Sequence, residues 1–238
     1  MKKIGLIGYG KWGKILYDKL KIFCDIKFIC RSKDSYLDKL DQIDWVVIAT
    51  PEDTHYEIVK NCLSNGKNVF CEKPLTPTYK QSCQLFDIAE QHKVKLYVDD
   101  VQNFRIVDYK LEQNNFVERK KNSKNSTPLD LFFKLAYHDF YFLYEHIKNK
   151  KIKDVEILNT TKNLNFKVLY DNFNIEFLYD VYFDGKEHNI NSVSIDGKDD
   201  IVLKMLQKVF NEDVDFDYNK KISLFANKYI ETIINYCK

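Results

Sequence analysis

Residues 2–13 of the chain read KKIGLIGYGKWG, and this stretch decides the fold. An apolar run at residues 4–7 leads into the pattern Gly8-x-Gly10-x-x-Gly13, and a helix-like stretch follows. Strand, glycine turn and helix in this order are the fingerprint of a dinucleotide-binding βαβ unit. The three glycines allow a tight turn, a close approach of the backbone to a pyrophosphate, and close packing of the helix on the strand.

The same turn is suited to binding an anion. The N-terminus of the helix that follows presents unpaired N–H groups and a partial positive charge to the phosphates. We therefore predict that this turn binds the cofactor, through Gly8, Tyr9, Gly10, Lys11, Trp12 and Gly13. A glycine-rich turn without a ligand is the alternative interpretation.

The first hundred residues alternate between strand-like and helix-like patterns. Five short apolar runs have the length of strands: residues 3–8, 26–30, 45–49, 68–71 and 95–98. The run WVVIA at 45–49 is uninterrupted, which is typical of a strand buried on both faces of a parallel sheet. Alternating strands and helices require crossover connections, so we predict an α/β fold with a doubly wound parallel sheet of the Rossmann type.

The pattern changes after residue 118. Residues 118–128 are polar and are predicted to form a connection, and residues 129–147 are apolar and aromatic, as in a long helix. Runs rich in β-branched and aromatic residues follow, separated by turn residues, at 155–158, 164–170, 174–183 and 190–195, before a closing helix at 220–236. We predict a nucleotide-binding domain at 1–118 and a smaller α+β domain with a mainly antiparallel sheet at 119–238.

The composition is that of an ordinary globular protein. With 238 residues and a formal net charge of +2, the chain gives no reason to expect nucleic acid or a membrane surface as a partner. The six cysteines form no CxxC motif and have no accompanying histidine cluster, so we expect free thiols in a reducing compartment and no metal site. No stretch has the length of a membrane span, and we expect a cytoplasmic protein.

The residues after the second predicted strand bear on the choice of dinucleotide. An acid there accepts a hydrogen bond from the 2′-hydroxyl of the adenosine ribose and selects NAD, whereas a basic residue accommodates the 2′-phosphate of NADP. The strand ends at Cys30, and Arg31 and Ser32 follow, with no acid at the reading position. We therefore predict that Arg31 and Ser32 make the protein prefer NADP(H) over NAD(H). The alternative is that Arg31 is a surface charge and the protein prefers NAD or does not discriminate.

Two further segments establish a family resemblance. Residues 49–51 read ATP, with His55 four residues on, and follow the third strand; residues 72–74 read EKP and follow the fourth. Together with the glycine fingerprint, these segments resemble the Gfo/Idh/MocA family over residues 1–105. This is the glucose–fructose oxidoreductase and inositol dehydrogenase type of NAD(P)-dependent enzyme.

The resemblance implies roles for particular residues. In that family the loop matching Thr50 and Pro51 lines the cofactor. The lysine matching Lys73 lies beside the nicotinamide and the reacting carbon, where it acts as acid/base or anchors the substrate, and the peptide bond that follows it is often cis. We add Thr50, Pro51, His55, Glu72 and Lys73 to the cofactor-binding residues and predict Lys73 to be catalytic. Hydride transfer at a carbinol carbon needs a group that moves the hydroxyl proton, which such a lysine supplies.

The second half of the chain fits the resemblance less well. Members of the family usually have Asp-x-Gly-x-His on the helix that opens the substrate domain, whereas residues 134–138 here read KLAYH. His138 takes the place of the proton-transferring histidine and is predicted to be catalytic, but Lys134 replaces the aspartate. Helical spacing predicts Asp130, Lys134 and His138 on one face, where Asp130 could pair with Lys134. The alternative is that His138 is a structural residue in an aromatic helix.

Three functions are compatible with these features. The first is an NADP(H)-dependent oxidoreductase acting on a hydroxyl or carbonyl of a small polar substrate, which the resemblance makes a sugar, a cyclitol or a sugar nucleotide. The second is a dinucleotide-binding regulatory or scaffolding protein without dehydrogenase activity, suggested by Lys134 and the short second domain. The third is an imine or enone reductase. We also expect a homodimer formed through the C-terminal sheet.

Overall fold

The structure, a computed structural model, describes residues 1–31, 34–122, 126–160, 163–197 and 199–236. The chain divides into two compact units, Met1–Phe104 with Asp200–Asn227, and Arg105–Asp199 with Lys228–Lys238. Each unit contains its own β-sheet. None of the described helices combines the length and the apolar character of a membrane span.

The described residues form strands and helices in the following order. The strands are β1 (Lys3–Ile7), β2 (Asp25–Cys30), β3 (Trp45–Ile48), β4 (Asn68–Cys71), β5 (Leu96–Val98), β6 (Asn114–Lys121), β7 (Asp154–Asn159), β8 (Leu164–Leu169), β9 (Asn174–Asp180), β10 (Lys186–Ile190) and β11 (Val193–Ser194). The helices are α1 (Lys11–Leu20), α2 (His55–Ser64), α3 (Tyr79–Gln91), α4 (Pro128–Leu131), α5 (Tyr137–Ile147), α6 (Ile201–Phe210) and α7 (Phe216–Tyr236).

The first unit is built on a five-stranded parallel sheet with the order β2-β1-β3-β4-β5. The strand order reverses between β1 and β3, which is the switch point at which doubly wound sheets bind ligands. Every residue of β3 is buried, as the uninterrupted run WVVIA predicts. The predicted Rossmann-type α/β fold is confirmed.

Helix α6 and the start of α7 belong to the first unit, although the sequence pattern predicts them in the second domain. The apolar side of α6 packs on one face of the first sheet, where the ring of Phe210 lies 5.1 Å from that of Trp45. Asn219 of α7 pairs with the edge strand: it accepts from the N–H of Val98 and donates to its carbonyl oxygen, both at 2.9 Å. These contacts explain why residues 200–227 group with the N-terminal residues.

The second unit is built on a six-stranded sheet with the order β11-β10-β6-β9-β8-β7. β6 pairs with β9 in parallel and the other pairs are antiparallel, so the predicted mainly antiparallel sheet is confirmed. β6 occupies part of the polar stretch predicted as a connection. Because β6 pairs with β9 and β10, residues 105–118 group with the second unit. The predicted boundary at 118 would place them in the first unit.

The predicted helix at 129–147 is interrupted. A π-helical turn at Phe132–Ala136 separates α4 from α5. Arg119 of β6 donates from Nη1 to the carbonyl oxygen of Leu135 inside this turn, at 3.2 Å. In a π turn the backbone bonds run from i to i+5 instead of i to i+4, which changes the directions of the side chains along the helix. Asp130 and Lys134 nevertheless stay 3.8 Å apart, and the placement of His138 on the same face stays a prediction.

Candidate functional site

The three glycines of the fingerprint differ in what surrounds them. Gly8 has φ +101°, and a Cβ there would lie 2.4 Å from the backbone of Ala49. A Cβ on Gly13 would lie 2.0 Å from the carbonyl oxygen of Gly8. A Cβ on Gly10, by contrast, would meet no described atom within 4 Å. Packing inside the protein therefore requires glycine at two positions, while the space over Gly10 is open to an approaching pyrophosphate.

The start of α1 is also free to bind an anion. Gly10 is its N-cap residue, no described side chain caps the helix, and its first turn contains no acid. The first N–H groups of a helix lack partners within the helix, so these are available to phosphate oxygens. The residues of the turn thus fit a dinucleotide.

Backbone hydrogen bonds extend the ladder of the first sheet past the strand ends. The N–H of the residue after each of β1, β3, β4 and β5 donates to the last residue of a neighbouring strand. The bonds are Gly8 to Cys30 (2.8 Å), Ala49 to Ile7 (2.8 Å), Glu72 to Ile48 (2.9 Å) and Asp99 to Cys71 (2.9 Å). The segments that follow these four strands therefore lie side by side at the carboxyl edge of the sheet, where such folds bind ligands.

His55 connects two of these segments. Its buried imidazole places Nδ1 2.8 Å from the carbonyl oxygen of Pro74 and Nε2 2.9 Å from that of Thr50. Burial lowers the pKa of His55, and the two carbonyl oxygens oppose that shift. The Lys73–Pro74 peptide bond is cis, as the resemblance implies. His55 thus fixes the loop of Lys73 relative to the loop of Thr50.

Glu72 lies in a buried network with residues from two other segments. The indole N–H of Trp12, in the glycine turn, donates to Oε1 of Glu72. The side chain of Glu72 is also hydrogen-bonded to that of Asp99, and the charge of Lys73 acts on both acids. Burial, followed by the neighbouring Asp99, raises the pKa of Glu72 well above its ordinary value. Burial raises the pKa of Asp99 as well.

Asp99 and Asp100 are site residues that the sequence reasoning did not select. Asp100 is buried, accepts from the hydroxyl of Tyr97 at 2.5 Å, and accepts from Nδ2 of Asn103 at 3.4 Å. Burial raises the pKa of Asp100 to about 7. In the sequence, these residues are recognisable as two consecutive acids directly after a buried strand.

The residues predicted to read the adenosine ribose lie after β2. Arg31 is exposed, and its backbone N–H donates to Oδ2 of Asp34 at 2.7 Å. Ser32 lies outside the described residues. The turn after β2 therefore contains an acid, Asp34, three residues beyond the arginine.

The remaining predicted cofactor-binding residues lie in the glycine turn or in the loop after β3. Tyr9 packs its ring edge-on against Tyr17 at 5.7 Å, and Lys11 is exposed. Thr50 accepts a hydrogen bond from the hydroxyl of Thr54 at 2.7 Å, and Pro51 is exposed.

His138 belongs to the second unit, and Lys73 to the first. His138 is half-buried near the start of α5. Lys134 is exposed, and its Nζ lies 3.8 Å from Oδ2 of Asp130, so the predicted pairing of these two residues is confirmed. The lysine at the aspartate's position thus forms a surface ion pair.

The residue after His138 belongs to a buried polar cluster. Oδ1 of Asp139 lies 2.8 Å from Nε2 of His188 and 3.5 Å from Nη2 of Arg119. Nη2 of Arg119 also lies 3.0 Å from Nδ1 of His188. Burial lowers the pKa of His188. Burial also acts to raise the pKa of Asp139, but Arg119 and His188 together with the hydrogen bonds of this carboxylate hold that pKa below its ordinary value. Sequence reasoning missed this cluster because its members are distant along the chain.

The likeness to a known family lies in the first unit. Residues 17–100 match the profile described as an oxidoreductase family with an NAD-binding Rossmann fold, GFO_IDH_MocA. Within these residues the chain is similar to the Gfo/Idh/MocA family. An uncharacterised oxidoreductase of Schizosaccharomyces pombe is 48% identical to this chain over 56 residues, which are 24% of the chain and 15% of the relative. The aligned segments span only 15% to 33% of the length of the first curated relatives.

Solved structures of the same architecture align along nearly the whole chain. UDP-N-acetylglucosamine 3-dehydrogenase GnnA from Acidithiobacillus ferrooxidans aligns with a TM-score of 0.78 and 14% identity, over 100% of this chain and 99% of that one. The WlbA dehydrogenase from Thermus thermophilus, in complex with NAD and UDP-GlcNAcA, aligns with a TM-score of 0.77 and 13% identity, over 97% and 95%. At these identities the likeness establishes the fold.

Proposed function

We propose that the protein is an oxidoreductase that transfers a hydride between NADP(H) and a hydroxyl or carbonyl group of a small polar substrate. The main support is the carboxyl edge of the first sheet, where the glycine turn after β1 and the loop of Lys73 after β4 flank the loop after β3. A dinucleotide spans such an edge, with its pyrophosphate at the helix N-terminus.

Each group at this edge has a separate proposed role. The glycine turn and the first N–H groups of α1 would hold the pyrophosphate, and Arg31 the adenosine end beyond β2. The bound dinucleotide supplies or accepts the hydride. Lys73 is proposed to exchange the proton of the substrate hydroxyl at Nζ. His138, through its place in the family motif, is proposed as a second proton-transferring residue.

A sugar, cyclitol or sugar nucleotide is the proposed substrate class. GnnA is named for a UDP-linked amino sugar, and WlbA was solved with UDP-GlcNAcA. These compounds share hydroxyl groups on a polar ring, which a lysine and a histidine can polarise.

The proposal is tested by binding and turnover with one pair of variants. Lys73→Ala should leave the dinucleotide Kd within about threefold of the wild-type value while lowering kcat about 100-fold or more on any substrate found in a panel of sugars and sugar nucleotides. Lys80→Ala, at an exposed position of α3, is the matched control. Full turnover by Lys73→Ala would refute the catalytic role of the lysine.

A second candidate function is dinucleotide binding without dehydrogenase activity, in a regulatory or scaffolding protein. The observation that favours it is Lys134, which replaces the family aspartate and is paired with Asp130 at the surface. Tight NADPH binding with no oxidation or reduction across the panel would support this function and exclude the first.

We also propose that the protein forms a homodimer through the second sheet. The face of this sheet that carries Phe116 and Leu178 is not fully covered within the chain, and Phe116 keeps 36% of its surface exposed. Sedimentation should show a dimer that Phe116→Lys weakens, whereas Leu158→Lys, at an exposed residue of the edge strand, should change it less. A monomeric wild-type protein at micromolar concentration would refute the dimer.

A further inference from the structure

Two acids and a lysine meet where β4 and β5 end. Glu72 follows β4 and Asp99 follows β5, and the backbone N–H of Asp99 donates to Cys71 at 2.9 Å. The two acid side chains are hydrogen-bonded to each other and are only 9% and 1% exposed. A carboxylate can only accept hydrogen bonds, so a bond between two carboxyl groups requires a proton on one of them.

Each acid also accepts a hydrogen bond from an N–H group outside the pair. The backbone N–H of Val101 donates to Oδ1 of Asp99 at 2.8 Å, and the indole N–H of Trp12 donates to Oε1 of Glu72. The pKa of Glu72 is raised well above its ordinary value, by burial and then by Asp99, whereas that of Asp99 is raised less. We therefore take Glu72 as the donor to Asp99.

We infer that Glu72 and Asp99, hereafter the acid pair, share one proton and carry a single negative charge. This charge balances one positive charge, which lies either on Lys73 or on an oxidised nicotinamide. This inference rests on the proposed function. Without a dinucleotide, the ammonium of Lys73 and the acid pair sum to zero. An oxidised nicotinamide at the same edge adds a second positive charge, which a buried site of low dielectric disfavours.

The balance is restored when Lys73 releases a proton to solvent. Its neutral amine can then accept the hydroxyl proton of a carbinol substrate. In that step the substrate carbon loses a hydride to the dinucleotide, the O–H bond breaks, the C=O bond forms, and the proton joins Nζ of Lys73. The positive charge thus passes from the nicotinamide ring to Lys73, and the acid pair keeps its charge throughout.

The titratable groups facing the acid pair come from both strands. Lys73 and the buried thiol of Cys71 flank Glu72, and Asp100 and Tyr97 lie on the side of β5. Burial raises the pKa of Cys71 and of Tyr97 well above their ordinary values, so both stay neutral near pH 7. Lys73 is the cation among the groups that act on both acids.

The test counts protons released when a dinucleotide binds, with a pH indicator in weakly buffered solution and no substrate. Because Asp100 itself titrates near pH 7, the count is made in Asp100→Asn, where NADP⁺ should release about one proton per site at pH 7 and NADPH close to none, since only the oxidised ring is cationic. An amide has the shape of a protonated acid, so Glu72→Gln or Asp99→Asn alone should keep the release and the NADP⁺ affinity within about threefold.

The double variant removes the charge. Glu72→Gln with Asp99→Asn should lose about tenfold in NADP⁺ affinity with little change for NADPH. Asp87→Asn, at an exposed position of α3, is the control. Equal proton release by both dinucleotides, or single variants each as damaging as the double, would overturn the inference while leaving the proposed function standing. Failure to bind either dinucleotide would overturn both.

A second measurement needs neither a dinucleotide nor the double variant. The infrared difference between wild type and Glu72→Gln at pH 7 should contain the C=O stretch of one protonated carboxylic acid. The difference for Asp99→Asn should contain it too, because Glu72 then carries the negative charge that balances Lys73. A difference spectrum that shows only a carboxylate band for Glu72→Gln would refute the shared proton.

Discussion

Nδ1 of His55 lies 2.8 Å from the carbonyl oxygen of Pro74, in the loop of Lys73. The other ring nitrogen faces the carbonyl oxygen of Thr50, so one buried side chain holds both loops. Replacing it by Ala leaves a cavity and removes the ring N–H that hydrogen-bonds one of these carbonyl oxygens. We expect His55→Ala to lower the free energy of unfolding by about 2 to 4 kcal/mol. Denaturant unfolding measures this, with the exposed His92→Ala as a control that should change little.

The contribution of His55 to the free energy of unfolding should decrease at low pH. Burial lowers the pKa of His55 in the folded state. The stability that the neutral imidazole contributes is therefore present above its unfolded pKa, about 6.5, and is lost as the pH falls through the folded pKa. The gap in unfolding free energy between wild type and His55→Gln should shrink from pH 7.5 to pH 5. A gap that is constant over this range would contradict the assignment.

Gly10 and Gly13 should respond differently to the same substitution. A Cβ at Gly10 meets open space, whereas a Cβ at Gly13 would lie 2.0 Å from the carbonyl oxygen of Gly8. We expect Gly10→Ala to change the free energy of unfolding by less than about 1 kcal/mol and to weaken dinucleotide binding about tenfold. Gly13→Ala should destabilise the fold by about 2 to 4 kcal/mol. Unchanged affinity in a folded Gly10→Ala protein would refute the position of the pyrophosphate.

The features that could be predicted from the sequence have causes that are local in the chain. Glycine is needed at position 8 because φ there is +101° and because the backbone of Ala49 leaves no room for a Cβ. Every residue of β3 and all but the first of β4 are buried, so their apolar runs are uninterrupted. The segment EKP follows such a run directly, and the ends of parallel strands meet at one edge.

β6 could not be predicted in the same way. Its inward positions include Asn115 and Arg119, which are buried only because distant groups satisfy them. Asn115 donates to the carbonyl oxygen of Asn174, and Arg119 lies against Asp139 and the π turn. With polar residues on both faces, the alternation that identifies a strand is hidden. The amphipathic pattern of α6 likewise does not specify which sheet it covers.

We expect the choice between NAD and NADP to depend on two residues after β2. Arg31 is exposed and would attract a 2′-phosphate, whereas Asp34, held by the backbone N–H of Arg31 at 2.7 Å, would repel it. We expect Arg31→Ala to weaken NADPH binding about tenfold with little effect on NADH, and Asp34→Asn to strengthen NADPH binding. Fluorescence titration with both dinucleotides measures the preference. Equal wild-type affinities for NADH and NADPH would refute the predicted selectivity.

Asp100 should lower the free energy of unfolding as the pH rises from 5 to 8. Burial raises its pKa from 3.8 to about 7, so the folded state retains a proton that the unfolded chain loses near pH 4. The stability from this group is full below the unfolded pKa and is lost as the pH rises through about 7. Asn at this position does not titrate and can still accept from the hydroxyl of Tyr97. Between pH 5 and pH 8, Asp100→Asn should therefore gain about 2 to 3 kcal/mol of unfolding free energy relative to wild type. Unfolding curves at both pH values, with Asp87→Asn as the exposed control, measure the gain, and parallel behaviour of Asp100→Asn and wild type would contradict it.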